Sequence, residues 1–186
     1  MVNIGWKIKN LPNLMRGMPG VLLAELGGKV GLVAPVGRLY ARKVGADGSI
    51  TNYGLIGTRV VTTAFCEFMV DQLIAEGSTW GDFKYHDSGT GITAENATDT
   101  GMETESTVQT DDLRAVGTQV EGTSVQYRSV GTITYDGSAA ITEHGLFNNT
   151  RVGGGTLMDR TVFSAINVAS GDSIQFTYTL TCTAGS

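Results

Sequence analysis

The stretch SIQFTYTLTC, residues 173–182, alternates without a break. Ile174, Phe176, Tyr178, Leu180 and Cys182 occupy every second position, and Gln175, Thr177, Thr179 and Thr181 fall between them. Successive side chains of an extended strand point to opposite faces, so this pattern sets one face in a core and the other in water. A helix would scatter the same residues around its axis. The stretch predicts a long strand of an antiparallel sheet that is covered on one side only.

The same texture extends towards the N-terminus. In SVQYRSVGTITYDG, residues 124–137, Val125, Tyr127, Ile133 and Tyr135 share one face, and Gln126, Arg128, Thr132 and Thr134 share the other. YDGS (135–138), RVGGG (151–155) and ASGDS (169–173) read as turns, with AAITEHGLFN and TLMDRTVFSAI as strands between them. GADGS (45–49) carries the Asp-Gly hairpin signal, with KVGLVAPVG and RLYARKV before it and SITNYGLIG after it. Closely spaced antiparallel strands of this kind predict a β-sandwich with jelly-roll-like character.

Composition agrees. Of 186 residues, 41% are hydrophobic and 17% charged, enough apolar side chain for a packed core. Glycine is abundant at 26 residues, as many short strands and turns require. The net charge of −5, with 13 scattered Lys and Arg, argues against nucleic-acid binding, which favours clustered cations. No apolar run approaches the ~18 residues of a membrane-spanning helix. VLLAEL (21–26) is short and carries Glu25, so no signal peptide is expected and synthesis in a cytoplasm is.

One segment has helical periodicity: TTAFCEFMVDQLIAEG, residues 62–77. Phe65, Cys66, Met69, Val70 and Leu73 fall on one arc, opposite Glu67 and Asp71. Thr62 or Thr63 can cap its start and Gly77 suits its end. Cys66 on that arc and Cys182 on the inward face of the last strand read as two buried thiols. Residues 1–27 lack alternation and are interrupted by Pro12 and Pro19, which predicts an N-terminal arm ahead of a sandwich domain over 28–186. Its apolar residues Trp6, Leu11, Leu14, Met15 and Met18 are the candidate partner contacts. The polar run 89–110 is long for a loop, and such loops are often functional or ordered on assembly.

YHDSGTG, residues 85–91, places histidine, aspartate and serine side by side. In a strand, His86 and Ser88 share a face while Asp87 points away, so three consecutive residues cannot form a hydrolase triad. No G-x-S-x-G elbow and no P-loop lysine occur, so neither nucleophilic catalysis nor nucleotide binding is expected. The stretch reads as a strand leaving its sheet, with Tyr85 as an anchor, Asp87 and Ser88 bonding turn backbone, and Gly89 and Gly91 opening the loop. His86 and His144 make no zinc site without a placed third ligand, and His144 reads as a hydrogen-bonding group near a strand end. NATDTG (96–101) departs from the calcium loop at Thr98 and Thr100. No catalytic residue, metal or cofactor is expected.

FKYHDSGTGITAENATDTGMETE, then TYDGSAAITEHGLFNN, then GGTLMDRTVFSAINVASGDSIQFTYTLT resemble, in that order, a group of tailed-bacteriophage virion proteins. YARKVGADGSITNYGLIGTRVVTTAFCEFMVDQL fits the same pattern, so the likeness spans roughly Gly37 to Thr183. It is similar above all to the capsid cement (decoration) proteins of short-tailed phages, and related patterns occur in tail-fibre and collar components. The resemblance implies a jelly-roll-like sandwich without catalytic residues. It also implies a homo-oligomer, dimer or trimer, that binds the outer surface of the major capsid protein and resides in the virion, without direct nucleic-acid or membrane contact. A tail, collar or fibre component is the alternative.

Overall fold

A computed structural model describes residues 34–66, 69, 82–123 and 125–183. The nine strands in this set are β1 (Ala34–Val44), β2 (Ile50–Val61), β3 (Tyr85–Gly89), β4 (Ala115–Val116), β5 (Thr118–Thr123), β6 (Gln126–Thr134), β7 (Ala139–Phe147), β8 (Leu157–Val168) and β9 (Ser173–Thr183). They follow the order β4-β3-β7-β8-β2-β1-β9-β6-β5, with every pairing antiparallel. The chain is mainly β, as the alternation predicts.

Strand β2 belongs to two sheets. Most of its length pairs with β1, but Val60 and Val61 pair with Arg160 and Asp159 of β8. One sheet is therefore β2-β1-β9-β6-β5 and the other is β4-β3-β7-β8 with the end of β2. At the opposite side, β4 and β5 are separated by Gly117 alone, so the chain steps from one sheet to the other within a residue. The two sheets enclose one core, with Leu39, Ile133, Ile174, Phe176 and Tyr178 from the first and Ile141, Leu146, Phe163 and Ile166 from the second.

Residues 173–182 behave as their alternation requires. Ile174, Phe176 and Tyr178 are fully buried and Leu180 nearly so, while Gln175, Thr177 and Thr181 are half-buried; Thr179, on the same face as these three, is the exception and is buried. The side chain of Cys182 lies outside the described residues. The predicted turns form at Gly45–Ser49 and around Gly153, Gly155 and Gly171, the last three with positive φ. Ile133 of β6 and Tyr135 just after it are buried, as expected. Val125 is not: it precedes the strand and is 52% exposed.

The helix predicted over 62–77 is described only at 62–66 and 69, of which 63–66 and 69 are helical. Thr62 caps it, accepting a hydrogen bond from the Phe65 N–H at 3.2 Å and donating to the Leu157 carbonyl at 2.6 Å. Phe65 enters the core edge-on to Phe83, with Met69 packed against it. Cys66 is exposed, contrary to the buried thiol expected. A residue is rotated ~100° from its neighbour on a helix, so seating Phe65 and Met69 inward carries Cys66 to the rim. Residues 1–27, the arm boundary and Trp6, Leu11, Leu14, Met15 and Met18 lie outside the described residues.

Candidate functional site

Strand β3 carries the chemistry-bearing residues to the centre of the fold. Its register sets His86 opposite Leu146 and Ser88 opposite His144, on the inner face of the sheet, and Asp87 opposite Gly145 on the outer face. All three side chains are 0% exposed. The alternation that excludes a contiguous triad holds, and each residue has its own partners.

On the inner face, His86 Nδ1 lies 3.0 Å from His144 Nε2, and His86 Nε2 lies 2.8 Å from Ser129 Oγ of β6. Only one of the two facing ring nitrogens can carry the shared proton. His144 is in the middle of β7, not at a strand end, and its ring packs 4.5 Å from that of Phe176. These bonds tie β3 and β7 to β6 across the core. The neighbouring glycines make room: a Cβ on Gly131 would meet His86 Cδ2 at 2.5 Å, and one on Gly117 would meet His86 Nε2 at 2.7 Å.

Ser88 Oγ donates to Gln109 Oε1 at 3.1 Å and accepts from the Tyr135 hydroxyl at 3.0 Å. Burial pushes the Tyr135 hydroxyl pKa well up, keeping it a donor. Gln109 lies across the edge of β3 and also donates to Asp87 Oδ1 at 2.8 Å. Asp87 and Ser88 thus belong to a buried network; they do not bond turn backbone as their sequence context suggests.

On the outer face, two arginines clamp the long loop to the sheet. Arg114 Nε donates to Asp87 at 2.9 Å, and its other nitrogens donate to Glu105 at 2.8 Å and to the Asn149 and Gly154 carbonyls at 3.1 and 2.6 Å. Its guanidinium lies 3.4 Å from the centre of the Phe147 ring. Burial raises the Asp87 carboxyl pKa, and the Arg114 hydrogen bond opposes that rise without cancelling it.

Arg160 repeats the arrangement. Its Nε donates to Glu143 at 2.7 Å, and its terminal nitrogens reach Asp99 at 3.1 Å and Glu103 at 3.4 Å. Burial favours neutral Arg160, but the Glu143 and Asp99 carboxylates outweigh it and hold the side chain firmly charged. Glu143 also accepts from the Gly91, Thr104 and Glu103 N–H groups at 2.9, 2.8 and 3.1 Å. Each clamp joins a fully buried strand carboxylate to a loop carboxylate through one arginine. The long polar loop is therefore folded onto its own sheet. Gly89 and Gly91 serve this close approach, since a Cβ on either would collide with the Glu143 carboxylate.

Asp99 is engaged by Arg160, and no metal-binding group of His, Cys, Asp and Glu occurs among the described residues. No described helix is long and apolar enough to cross a membrane. The residues that sequence reasoning missed are Gln109, Arg114, Glu143 and Arg160. A charge inside an otherwise apolar strand run, as in AAITEHGLF and TLMDRTVFSAI, is the signal that could have found the last two.

The outer face of the other sheet has no such cover among the described residues. Tyr40 and Arg42 of β1 are exposed there, beside Asn52, Gln175 and Thr177 along a shallow depression. Compared with protein-family models, with curated proteins and with solved structures, the chain matches none.

Proposed function

We propose that this chain is a non-enzymatic virion structural protein of a tailed bacteriophage, a capsid cement (decoration) protein that binds the outer surface of the major capsid protein and stabilises the head. Alongside the sequence resemblance, the observation that carries the reading is the fate of the polar side chains. His86, Asp87, Ser88, Glu143 and His144 are each 0% exposed and bonded to other parts of the chain. They join the two sheets or hold a surface loop down. Groups that could do chemistry are spent on rigidity, which suits a protein whose task is to resist load. The finer features belong to the same proposal: a jelly-roll-like sandwich, an N-terminal arm with partner contacts at Trp6, Leu11, Leu14, Met15 and Met18, and a dimer or trimer on the capsid.

The mechanism is multivalent. Modest contacts to several neighbouring capsid subunits add through high effective concentration once the first is made. Counting copies in purified virions by quantitative mass spectrometry tests it. Hundreds of copies per particle are expected. A few to a few dozen would place the protein in the tail, collar or fibre instead, and absence from the virion would end the structural reading.

A further inference from the structure

The two outer faces of the fold differ. That of the β3-β7-β8 sheet is covered by the chain's own loop, and the two arginines beneath it are neutralised by Asp87, Glu105, Asp99, Glu103 and Glu143. The outer face of the β2-β1-β9-β6-β5 sheet carries three arginines of a different kind. Arg38 is opposite Thr179, and Thr179 is opposite Arg128, so one row across three strands reads Arg38–Thr179–Arg128. Arg42, four residues along β1, is opposite Gln175 on the same face.

Strand spacing and rise place Arg38 and Arg128 roughly 10 Å apart and Arg38 and Arg42 roughly 13 Å apart at their backbones. Between them stand Tyr40, 39% exposed, and Thr179, which is buried; Arg42 is exposed, while Arg38 and Arg128 are half-buried. Among the described strand residues no Asp or Glu shares this face; Glu121 is opposite Tyr127 and belongs to the other side of its strand. None of the three arginines is paired with a carboxylate among the described residues, and Arg128 Nε, a buried atom, has no hydrogen-bond partner there.

We infer that this face is a docking surface for a level, carboxylate-bearing protein surface, with Arg38, Arg42 and Arg128 as its anchors and Tyr40 as its apolar centre. The charge argument is local: within a chain of net charge −5, three arginines gather on one face where, among the described strand residues, no carboxylate joins them. Guanidinium groups bind carboxylates in fixed two-pronged geometry, which orients a partner as well as attracting it. A nucleic acid fits less well, because its dense phosphates reward many clustered cations and an acidic chain repels them. The identity of the partner rests on the virion reading: it is the outer surface of the capsid shell.

The test uses the full chain and capsids purified without it, in an add-back binding assay at low and high salt. The wild-type protein is expected to bind, less tightly as salt screens the contact. The triple variant Arg38→Gln/Arg42→Gln/Arg128→Gln is expected to lose at least tenfold in affinity and most of the salt dependence. Asp111→Asn/Asp112→Asn, outside this face, is expected to bind as wild type. Melting curves check that the variants fold; if the triple variant does not, Arg42→Glu at the exposed position must still weaken binding several-fold. Undiminished binding by the arginine variants would overturn the face and leave the virion reading standing. No binding by the wild type would overturn both. Displacement of the protein by duplex DNA acting through the same three arginines would make the face a nucleic-acid surface and overturn the carboxylate assignment.

Discussion

Replacing Arg114 by Met keeps an unbranched apolar stem and deletes the guanidinium and its charge. The guanidinium's contact with the Phe147 ring goes with the charge, so the change removes that contact together with the polar ones. Asp87, 0% exposed, then loses its cation, Glu105 loses its partner, and the Asn149 and Gly154 carbonyls lose their donor. Breaking one side of a buried ion pair costs about 3–5 kcal/mol because the remaining charge is left uncompensated. For a domain of this size each kcal/mol is about 2–4 °C of melting temperature, so a fall of roughly 6–20 °C is expected at pH 7.

The pH dependence gives the sharper test of this variant. Burial already raises the Asp87 pKa, and removing Arg114 removes its main opposition. A carboxyl with a raised folded pKa holds its proton in the native state when the unfolded chain has lost it. Stability is then full below the unfolded value near 4 and falls as pH rises through the folded value. Arg114→Met should therefore lose much less at pH 4 than at pH 7, as followed by urea melts at both. In a double-mutant cycle with Asp87→Asn, coupling above about 1 kcal/mol is expected at pH 7. A loss below about 1 kcal/mol, or an equal loss at both pH values, would refute the clamp.

Two further changes probe other parts of the frame. Gly131→Ala forces a methyl against His86, whose ring is bonded at both nitrogens and has nowhere to turn, so a loss of about 1–3 kcal/mol is expected by thermal melting; an unchanged melting temperature would show that the ring is free to move. Asp172 has its pKa held below the usual range, first by the Lys43 hydrogen bond. It contributes stability above the unfolded carboxylate value that is lost as pH falls through its folded value. Asp172→Asn should flatten the acid limb of a stability-versus-pH curve, and an acid limb as steep as wild type would contradict this.

Much of the fold is legible in the sequence because strand alternation is a local property. SIQFTYTLTC states its own inside and outside, and glycines mark the turns where backbone needs positive φ at positions 153, 155 and 171. The same rule, applied to the residues alone, separates Asp87 from His86 and Ser88. It does not say what lies over each face. Cys66 shows the limit on the helical side: of the predicted arc, Phe65 and Met69 meet the core and Cys66 does not, because which residues face inward depends on where Phe65 finds Phe83.

The sequence by itself determined the β architecture, the turns, the capping threonine and the impossibility of a contiguous triad, because each depends on residues within a few positions of one another. Tertiary structure alone decided that His86 meets His144 fifty-eight residues away, that Arg114 and Arg160 fasten the long loop to its sheet, and that Arg38, Arg42 and Arg128 share one face. Those outcomes depend on register and on which strands become neighbours, and strand order is set by burial summed over the whole chain. A pattern of period two assigns a residue to a side of its strand, and only the packed sheets reveal what waits on that side.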